Sequence, residues 1–285
     1  MLPIFIHSFS KSRGGILGWG LSLALLAAYL MPFYDTLAEQ KETLQTLLAS
    51  YPPEMMAFFA DTSDMAAIFT PEGYLSFELF SLMPVVLGIF AVLAGSGLLA
   101  NDEENGTLDL VLAYPISRTG LFAGRLLAFI ASTASILGLI WAGLLIGRNW
   151  SNIELTAIEL TRPFYSLGAV LLWFGALALA LSLLLPSRRV ASAVAGLVLV
   201  GSYFITSLAR VNDELKEVVR YLPLHYYQGG AAIKDLNTEW LGGLLAFALL
   251  FALIAWWRFQ RRDIRVAGEG SWGLALPWNQ VKALK

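Results

Sequence analysis

The amino-acid sequence predicts an all-α integral membrane protein with six transmembrane helices. The chain of 285 residues is 57% hydrophobic and only 14% charged, and its mean hydropathy is +0.66. An ordinary soluble domain carries about 25% charged residues. In addition, the charged residues divide the chain into long uncharged windows, each near the ~20 residues that a helix needs to cross a bilayer. Both observations predict a chain that lies in a membrane.

The six windows, which we number spans one to six, cover residues 14–34, 79–101, 126–147, 163–187, 190–209 and 240–257. They predict helices, because barrel strands are about 10 residues long with alternating polarity, and these windows do not alternate. Pro84 predicts a kink in span two. The alternative, six buried helices of a soluble protein, would need far more polar outer surface than this chain has.

The distribution of basic residues predicts the orientation in the membrane. With both termini on one side, that side carries 12 of the 19 Lys and Arg residues, and the other side carries 7. Cytoplasmic loops carry the excess of Lys and Arg, so we expect both termini in the cytoplasm. We expect a multi-pass protein of a cell membrane, and of a prokaryotic plasma membrane in particular.

The two outer connections are then residues 35–78 and 210–239. In the first, Thr70 followed by Pro71 is typical of a helix start, and we expect amphipathic helices lying at the membrane interface. The second becomes aromatic and uncharged in YLPLHYYQGG, which predicts a re-entrant segment covered by protein. Its apolar and aromatic residues include Leu222, Pro223, Leu224, Tyr226 and Tyr227. We expect residues 1–285 to form a single transmembrane domain.

The chemistry of the spans narrows the function. The six windows contain no ionisable residue, which argues against an ion-driven transporter and most intramembrane enzymes. The two histidines, His7 and His225, lie outside the windows and far apart in sequence, so no metal site and no catalytic residue is predicted. The small-residue stretches at 14–18, 94–97 and 143–147 predict close helix contacts.

No phosphate-binding motif Gly-x-x-x-x-Gly-Lys-Ser/Thr occurs in the sequence, so the chain is not expected to hydrolyse nucleotide. Energy for uphill movement would have to come from another polypeptide. No cofactor is expected on this chain, and no nucleic-acid partner.

The densest polar cluster follows span two in the stretch NDEENGTLDLVLAYPISRTG, residues 101–120. Thr107 is placed to cap a short helix that ends before Pro115, and Ser117 to cap the next helix. The short helix is too apolar to lie exposed to water, since it carries Leu108, Leu110, Val111 and Leu112. Either the membrane and the span ends cover it, or a partner protein does; the residues alone leave both open.

This stretch resembles the cytoplasmic loop of type-2 ABC exporter permeases, whose pattern is an acid, Gly-Thr-Leu, an acid, leucines and Pro-Ile/Val-Ser/Thr-Arg. The six spans, the inward termini and the re-entrant connection also resemble that family. The resemblance implies a type-2 ABC exporter permease fold in which a coupling helix binds a groove of a separate ATPase. The interface residues that it implies are Glu103, Glu104, Gly106, Thr107, Leu108, Asp109, Leu110, Leu112, Pro115, Ser117 and Arg118.

The resemblance further implies two permease subunits, identical or different, with two ATPase subunits that hold ATP and Mg²⁺. The second outer connection would match the short outer helices that cap the pathway, which makes Leu222, Pro223, Leu224, Tyr226 and Tyr227 the candidate gate residues. Ser192, Ser202 and Thr206 are candidates for lining a cavity suited to an amphiphilic or lipophilic cargo. Two alternatives are a non-transporting membrane scaffold or sensor that docks a cytoplasmic ATPase, and an intramembrane enzyme.

Overall fold

The computed structural model describes residues 1–41, 43, 46, 69–106, 116–210 and 212–261. Within these ranges six helical stretches are long and apolar enough to cross a membrane, which confirms the predicted all-α class with six spans. The principal helices of spans one to six are Arg13–Leu30, Met83–Glu104, Arg118–Arg148, Ala157–Leu184, Arg188–Leu208 and Thr238–Arg261.

Shorter elements flank these helices. Before span one lies an N-terminal helix, Leu2–Lys11, and Phe33–Glu39 follows it. Pro71–Leu75 and a π-helical turn, Ser76–Phe80, precede span two. The connection between spans five and six holds the short elements Asp213–Leu215, Lys216–Val219, Pro223–Tyr226 and Gly229–Ile233. Most of the predicted outer connection 35–78 lies outside the described residues.

The N-terminal helix is not predicted from the sequence. Residues 1–13 are assigned there only as the inner segment before span one. The sequence pattern that could have predicted this helix is amphipathic: apolar Ile4 and Phe5 are followed by polar His7, Ser8 and Lys11. The helix packs on span three, where Gly124 has no side chain and Ile4 fills the space.

Capping side chains set several helix starts. Thr70 Oγ1 accepts a hydrogen bond from the N–H of Gly73 at 3.2 Å, and Ser117 Oγ accepts one from the N–H of Gly120 at 3.0 Å. Both caps confirm the sequence pattern. Span four starts at Ala157, six positions before its predicted window, through a capping box between Thr156 and Glu159.

The bundle has two ends, which we name from the elements they hold. The terminal end carries the N-terminal helix, residues 101–106 and 116–118, the turn at 185–188, and the end of span six. The distal end carries residues 31–39, 69–82, 149–156 and 209–237. Hydrogen bonds join elements across each end, such as Arg118 to Phe259 at the terminal end and Tyr34 to Phe69 at the distal end.

Glycines bring two pairs of spans together at backbone distance. A β-carbon on Gly95 would lie closer than 3.0 Å to the carbonyl oxygen of Gly175, so spans two and four touch directly. Gly143 and Ala24 make the same kind of approach between spans three and one. The predicted contacts at 94–97 and 143–147 are thereby confirmed. The prediction for 14–18 is wrong within the described residues, where no atom lies within 4 Å of a β-carbon added to any of its three glycines.

Gly143→Ala should lower the midpoint of thermal unfolding, because the added methyl would clash with the backbone of span one. Overpacking of this kind costs about 1–3 kcal/mol. Gly138→Ala is the matched control, since it lies on the same helix and no described atom is within 4 Å of the added carbon. Thermal unfolding of the detergent-solubilised protein measures both. Equal midpoints for the two variants would contradict the close contact between spans one and three.

Candidate functional site

The predicted docking stretch is described only at its two flanks. Residues 107–115 lie outside the described residues, so the interface predictions there stay predictions; they concern Thr107, Leu108, Asp109, Leu110, Leu112 and Pro115. The flanks themselves are described, and they contain Glu103, Glu104, Gly106, Ser117 and Arg118. Their geometry shows how the stretch is attached to the spans.

Gly106 ends the helix of span two. Its φ of +67° lies in the left-handed region, which glycine adopts at little cost and other residues adopt with strain. The N–H of Asn105 donates to the carbonyl of Asn101 at 3.0 Å, and the N–H of Gly106 donates to that of Glu103 at 3.1 Å. A glycine at this position therefore lets the chain turn sharply out of span two.

The first flank is held by two interactions with other spans. The carboxylate of Glu104 accepts a hydrogen bond from the backbone N–H of Arg188, which begins span five, at 3.2 Å. Asp102 forms an ion pair with Arg125 of span three, and both side chains are mostly buried. Arg125 also donates to the carbonyl of Leu98 at 2.6 Å. A mostly buried pair of this kind joins spans two and three at this end.

The second flank is held by span six. The guanidinium of Arg118 donates to the carbonyl oxygens of Phe259 and Gln260 at 3.2 and 3.3 Å. These two carbonyls lie in the last described turn of span six, and the arginine ties the second flank to that turn. Arg118 is predicted at a partner interface, and the structure places its side chain against the end of span six.

A cavity of about 760 Å³ lies at the distal end, between span two, span five and the segment 212–237, which we call the distal segment. Its volume falls in the range of small-molecule sites. The wall contains the aromatic residues Phe80, Tyr203, Tyr227 and Trp240, and the basic residues are Arg210, Lys216 and Arg220, with His225 beside them.

The predicted gate residues lie in and next to the short helix Pro223–Tyr226 of the distal segment. Pro223 and Leu224 are buried, and the N–H of Leu224 donates to Ser202 Oγ at 3.2 Å. The hydroxyl of Tyr226 donates to the carbonyl of Arg220 at 2.7 Å. Leu224 and Tyr227 line the cavity. The structure therefore places two of the five predicted gate residues at the cavity wall, and Leu222, Pro223 and Tyr226 do not line it. A gating role stays a prediction.

Pro84 connects the distal segment to span two. It is the second residue of the helix Met83–Glu104, and the π-helical turn Ser76–Phe80 and the turn at 81–82 lie just before it. The regular helix is therefore interrupted next to the proline, within the predicted window 79–101, which agrees with the predicted kink. Because proline has no N–H, the carbonyl of Phe80 lacks its helical donor. The hydroxyl of Tyr227 donates to this carbonyl at 2.9 Å and replaces it.

Only one of the three predicted cavity residues lines the distal cavity. Thr206 lines it, and its Oγ1 is buried with no hydrogen-bond partner in the described part of the chain. Ser202 accepts from Leu224, which covers it. Ser192 lies near the terminal end, where its hydroxyl donates to the carbonyl of Arg189 at 3.1 Å. Ser192 and Ser202 do not line the distal cavity, and their place in a pathway between two permease subunits stays a prediction.

Sequence reasoning missed the residues that hold the distal segment in place. Gln228 is buried, and its N–H donates to Ser166 Oγ of span four at 2.9 Å. Its side-chain amide forms two hydrogen bonds with the backbone of Asn237. Arg162 donates to the carbonyls of Ile233 and Lys234. The only sequence feature that points to these contacts is Arg162, which directly precedes the apolar window 163–187.

The charge state of His225 follows from its surroundings. Burial lowers the pKa of this imidazole, and the nearby guanidinium of Arg220 lowers it further. His225 is therefore neutral at pH 7. Its ring contacts Tyr226 edge to face and Trp240 at a tilt, at ring-centroid distances of 5.0 and 5.6 Å. The positive charge at the cavity comes from arginine and lysine.

A second cavity, of about 620 Å³, lies at the terminal end between the N-terminal helix and spans two and three. The ion pair of Asp102 and Arg125 forms part of its wall, and His7 and Lys11 lie on the opposite side. This cavity separates the N-terminal helix from the first flank of the docking stretch.

Comparison with known proteins agrees with this architecture. No curated protein matches the chain. The sequence profile of the family described as "ABC-2 family transporter protein" matches residues 2–264, nearly the whole chain. The matched range includes all six spans, both flanks of the docking stretch and the distal segment. The chain belongs to the ABC-2 family of transporter proteins and is a membrane permease component of an ABC transporter.

Proposed function

We propose that residues 101–120 couple this permease to a separate ABC ATPase and that the assembled complex is an exporter. The observation that carries the proposal is the attachment of the two flanks. Glu104 and Asp102 bind the starts of spans five and three, and Arg118 binds the end of span six. A force applied to the stretch between Gly106 and Ser117 would therefore reach four spans at once.

The proposed partner supplies the nucleotide chemistry. Two ATPase subunits hold ATP and Mg²⁺, and two permease subunits, identical or different, form the pathway between them. The terminal end faces the cytoplasm, since Arg188, Arg189, Arg258 and Arg261 lie there with the docking stretch. ATP binding draws the ATPases together, and the docking stretch passes this movement to the spans, which changes access to the pathway.

The alternative is a membrane scaffold or sensor that docks an ATPase without transport. It shares the docking stretch but needs no pathway for a cargo. The distal cavity favours the exporter, because a scaffold does not require a cavity of this size. ATP-dependent movement of a solute by reconstituted vesicles supports the exporter. Docking of the ATPase with no movement of any solute supports the scaffold.

Replacing Leu110 and Leu112 with glutamate should abolish co-purification with the ATPase, because two charges would enter an apolar contact. The measurement is affinity purification after co-expression with each ABC ATPase of the source genome that has no spans of its own. Leu110→Met with Leu112→Met is the control, since it keeps the apolar surface and should retain the ATPase. Unchanged co-purification of the glutamate variant would contradict the docking role.

Gly106→Val should reduce ATP hydrolysis by the reconstituted complex severalfold, because a β-branched residue adopts a φ of +67° only with strain. The turn out of span two would then be altered. Gly106→Asn is the control, since asparagine tolerates this region and should keep most of the activity. Equal activities of the two variants would show that the turn does not matter for coupling.

A further inference from the structure

We propose that the cavity at the terminal end binds a phospholipid of the surrounding bilayer leaflet, with one acyl chain between spans two and three and its phosphate beside the N-terminal helix. We call this cavity, of about 620 Å³, the terminal groove. The proposal goes beyond the proposed function, because it concerns a binding site on the permease alone. Neither the ATPase nor transport enters it.

The terminal groove follows one face of each of two spans. Most of its lining positions on a span are three or four residues apart, as neighbours on one helix face are. Between residues 90 and 101 a helix rises about 17 Å, which is close to half of the ~30 Å hydrocarbon core. The groove is therefore about as long as the acyl layer of one leaflet. Spans two and three line it with Phe90, Leu93, Ala94, Gly97, Leu98, Asn101, Asp102, Leu121, Arg125, Phe129 and Ser132.

The terminal groove is too narrow for a helix of a partner protein. A volume of about 620 Å³ spread over a length of about 17 Å gives a mean cross-section of about 36 Å². A helix about 10 Å wide needs roughly twice that area. An extended hydrocarbon chain is thinner than a helix and fits. The dimensions therefore favour a single acyl chain over a peptide.

The rim of the terminal groove is polar. Lys11 and His7 of the N-terminal helix lie there, beside Asn101 of span two. Asp102 and Arg125 also belong to the wall, and their charges are matched by their own ion pair. Lys11 forms no ion pair within the described part of the chain, so its ammonium group is available to a phosphate.

The interior of the terminal groove suits hydrocarbon. Phe90, Leu98 and Phe129 supply apolar surface below the rim. Ser132 lies deep in span three, and its hydroxyl already donates to the carbonyl of Ala128 at 2.7 Å. No buried side-chain atom of the described lining lacks a hydrogen-bond partner. An acyl chain therefore leaves no polar group unsatisfied there, and a polar ligand would gain no partner.

The terminal groove is continuous with the bilayer-facing surface of span two. Leu93 lines the groove and is 49% exposed, and Ile89, one turn away, is 45% exposed. Large apolar side chains exposed on a membrane-crossing helix contact lipid. One chain of a phospholipid can therefore lie in the groove while the other stays in the bilayer.

The N-terminal helix places the rim at the level of the headgroups. Its residues His7 and Lys11 line the groove, whereas Leu2 and Ile6 are 68 and 53% exposed on another side of the helix. A helix with exposed apolar residues beside membrane spans lies with those residues in the edge of the hydrocarbon. The ammonium group of Lys11 then lies at the interface, where lysine binds phosphate groups of lipids.

The test is photo-crosslinking of the purified permease in detergent, without any ATPase. The probe is a phosphatidylglycerol that carries a diazirine in the middle of one acyl chain, and mass spectrometry of peptides locates the label. We expect label on residues 90–98 to saturate at a probe concentration about fivefold lower than label on Leu249, an exposed residue of span six. Label that accumulates equally in both places shows lipid bound without a site and would overturn the proposal.

Ala94→Phe should remove most of the label from residues 90–98, because the larger side chain fills the terminal groove. Ala193→Phe is the matched control, since Ala193 is exposed on span five and does not line the groove. Ala94→Leu is a milder change that decides the matter if Ala94→Phe lowers the midpoint of thermal unfolding. It should weaken labelling about fivefold, the lower end of the cost of overpacking. Label retained in both Ala94 variants, or lost equally in Ala193→Phe, contradicts the assignment to this groove.

A diacylglycerol with the same photoreactive chain tests the position of the phosphate. It has no phosphate, so it should need about a fivefold higher concentration to give the same label on residues 90–98. Lys11→Gln should remove this difference between the two lipids. Lys234→Gln, an exposed lysine at the distal end, should preserve it. Equal labelling by both lipids in the unaltered protein would refute the placement of a phosphate at the rim, and with it the phospholipid.

Failure of these experiments would leave the docking proposal intact, because no ATPase takes part in them. Failure of the Leu110 and Leu112 experiment would in turn leave the binding result intact. The two proposals are therefore tested separately.

Discussion

The hydrogen bond from the hydroxyl of Tyr227 to the carbonyl of Phe80 connects the two irregular parts of the distal end. Pro84 removes the helical donor of that carbonyl, and an unsatisfied buried carbonyl costs about 1–3 kcal/mol. Because only a group from outside the helix can replace the donor, span two depends on the distal segment at this point. The distal segment gains a fixed position against span two in return, and the cavity lies between them.

The same requirement accounts for the polar side chains near the span ends that bind backbone atoms. Inside a bilayer, backbone that is neither helical nor paired must find its hydrogen bonds within the protein. Ser166 and Ser202 accept from the distal segment, and Arg162 donates to its carbonyls. At the terminal end, Arg118 does the same for the carbonyls of span six. These residues hold irregular backbone in place beside the two candidate sites.

The existence of the six spans could be predicted because a long uncharged window is rarely stable as anything but a membrane-crossing helix. The boundaries of the spans could not be predicted, because Arg125 and Arg162 mark the limits of uncharged windows. In the fold Asp102 binds the charge of Arg125, and carbonyl oxygens bind that of Arg162, so the helices continue through both residues. Local caps such as Ser117 follow from neighbouring residues. The contact between Ser166 and Gln228 joins positions 62 residues apart, and no local pattern encodes it. The docking motif is recognisable from sequence, and its central part remains a prediction.

The glycine contacts have a mechanical consequence for any change of shape. Where Gly95 meets Gly175 and Gly143 meets Ala24, the two backbones touch with no side chain between them. A side chain can change its rotamer to let a neighbour slide, but a backbone has no such freedom. Spans two and four, and spans one and three, are therefore best regarded as two stiff pairs that shift as units. Any alternation of access must therefore leave these two pairs intact.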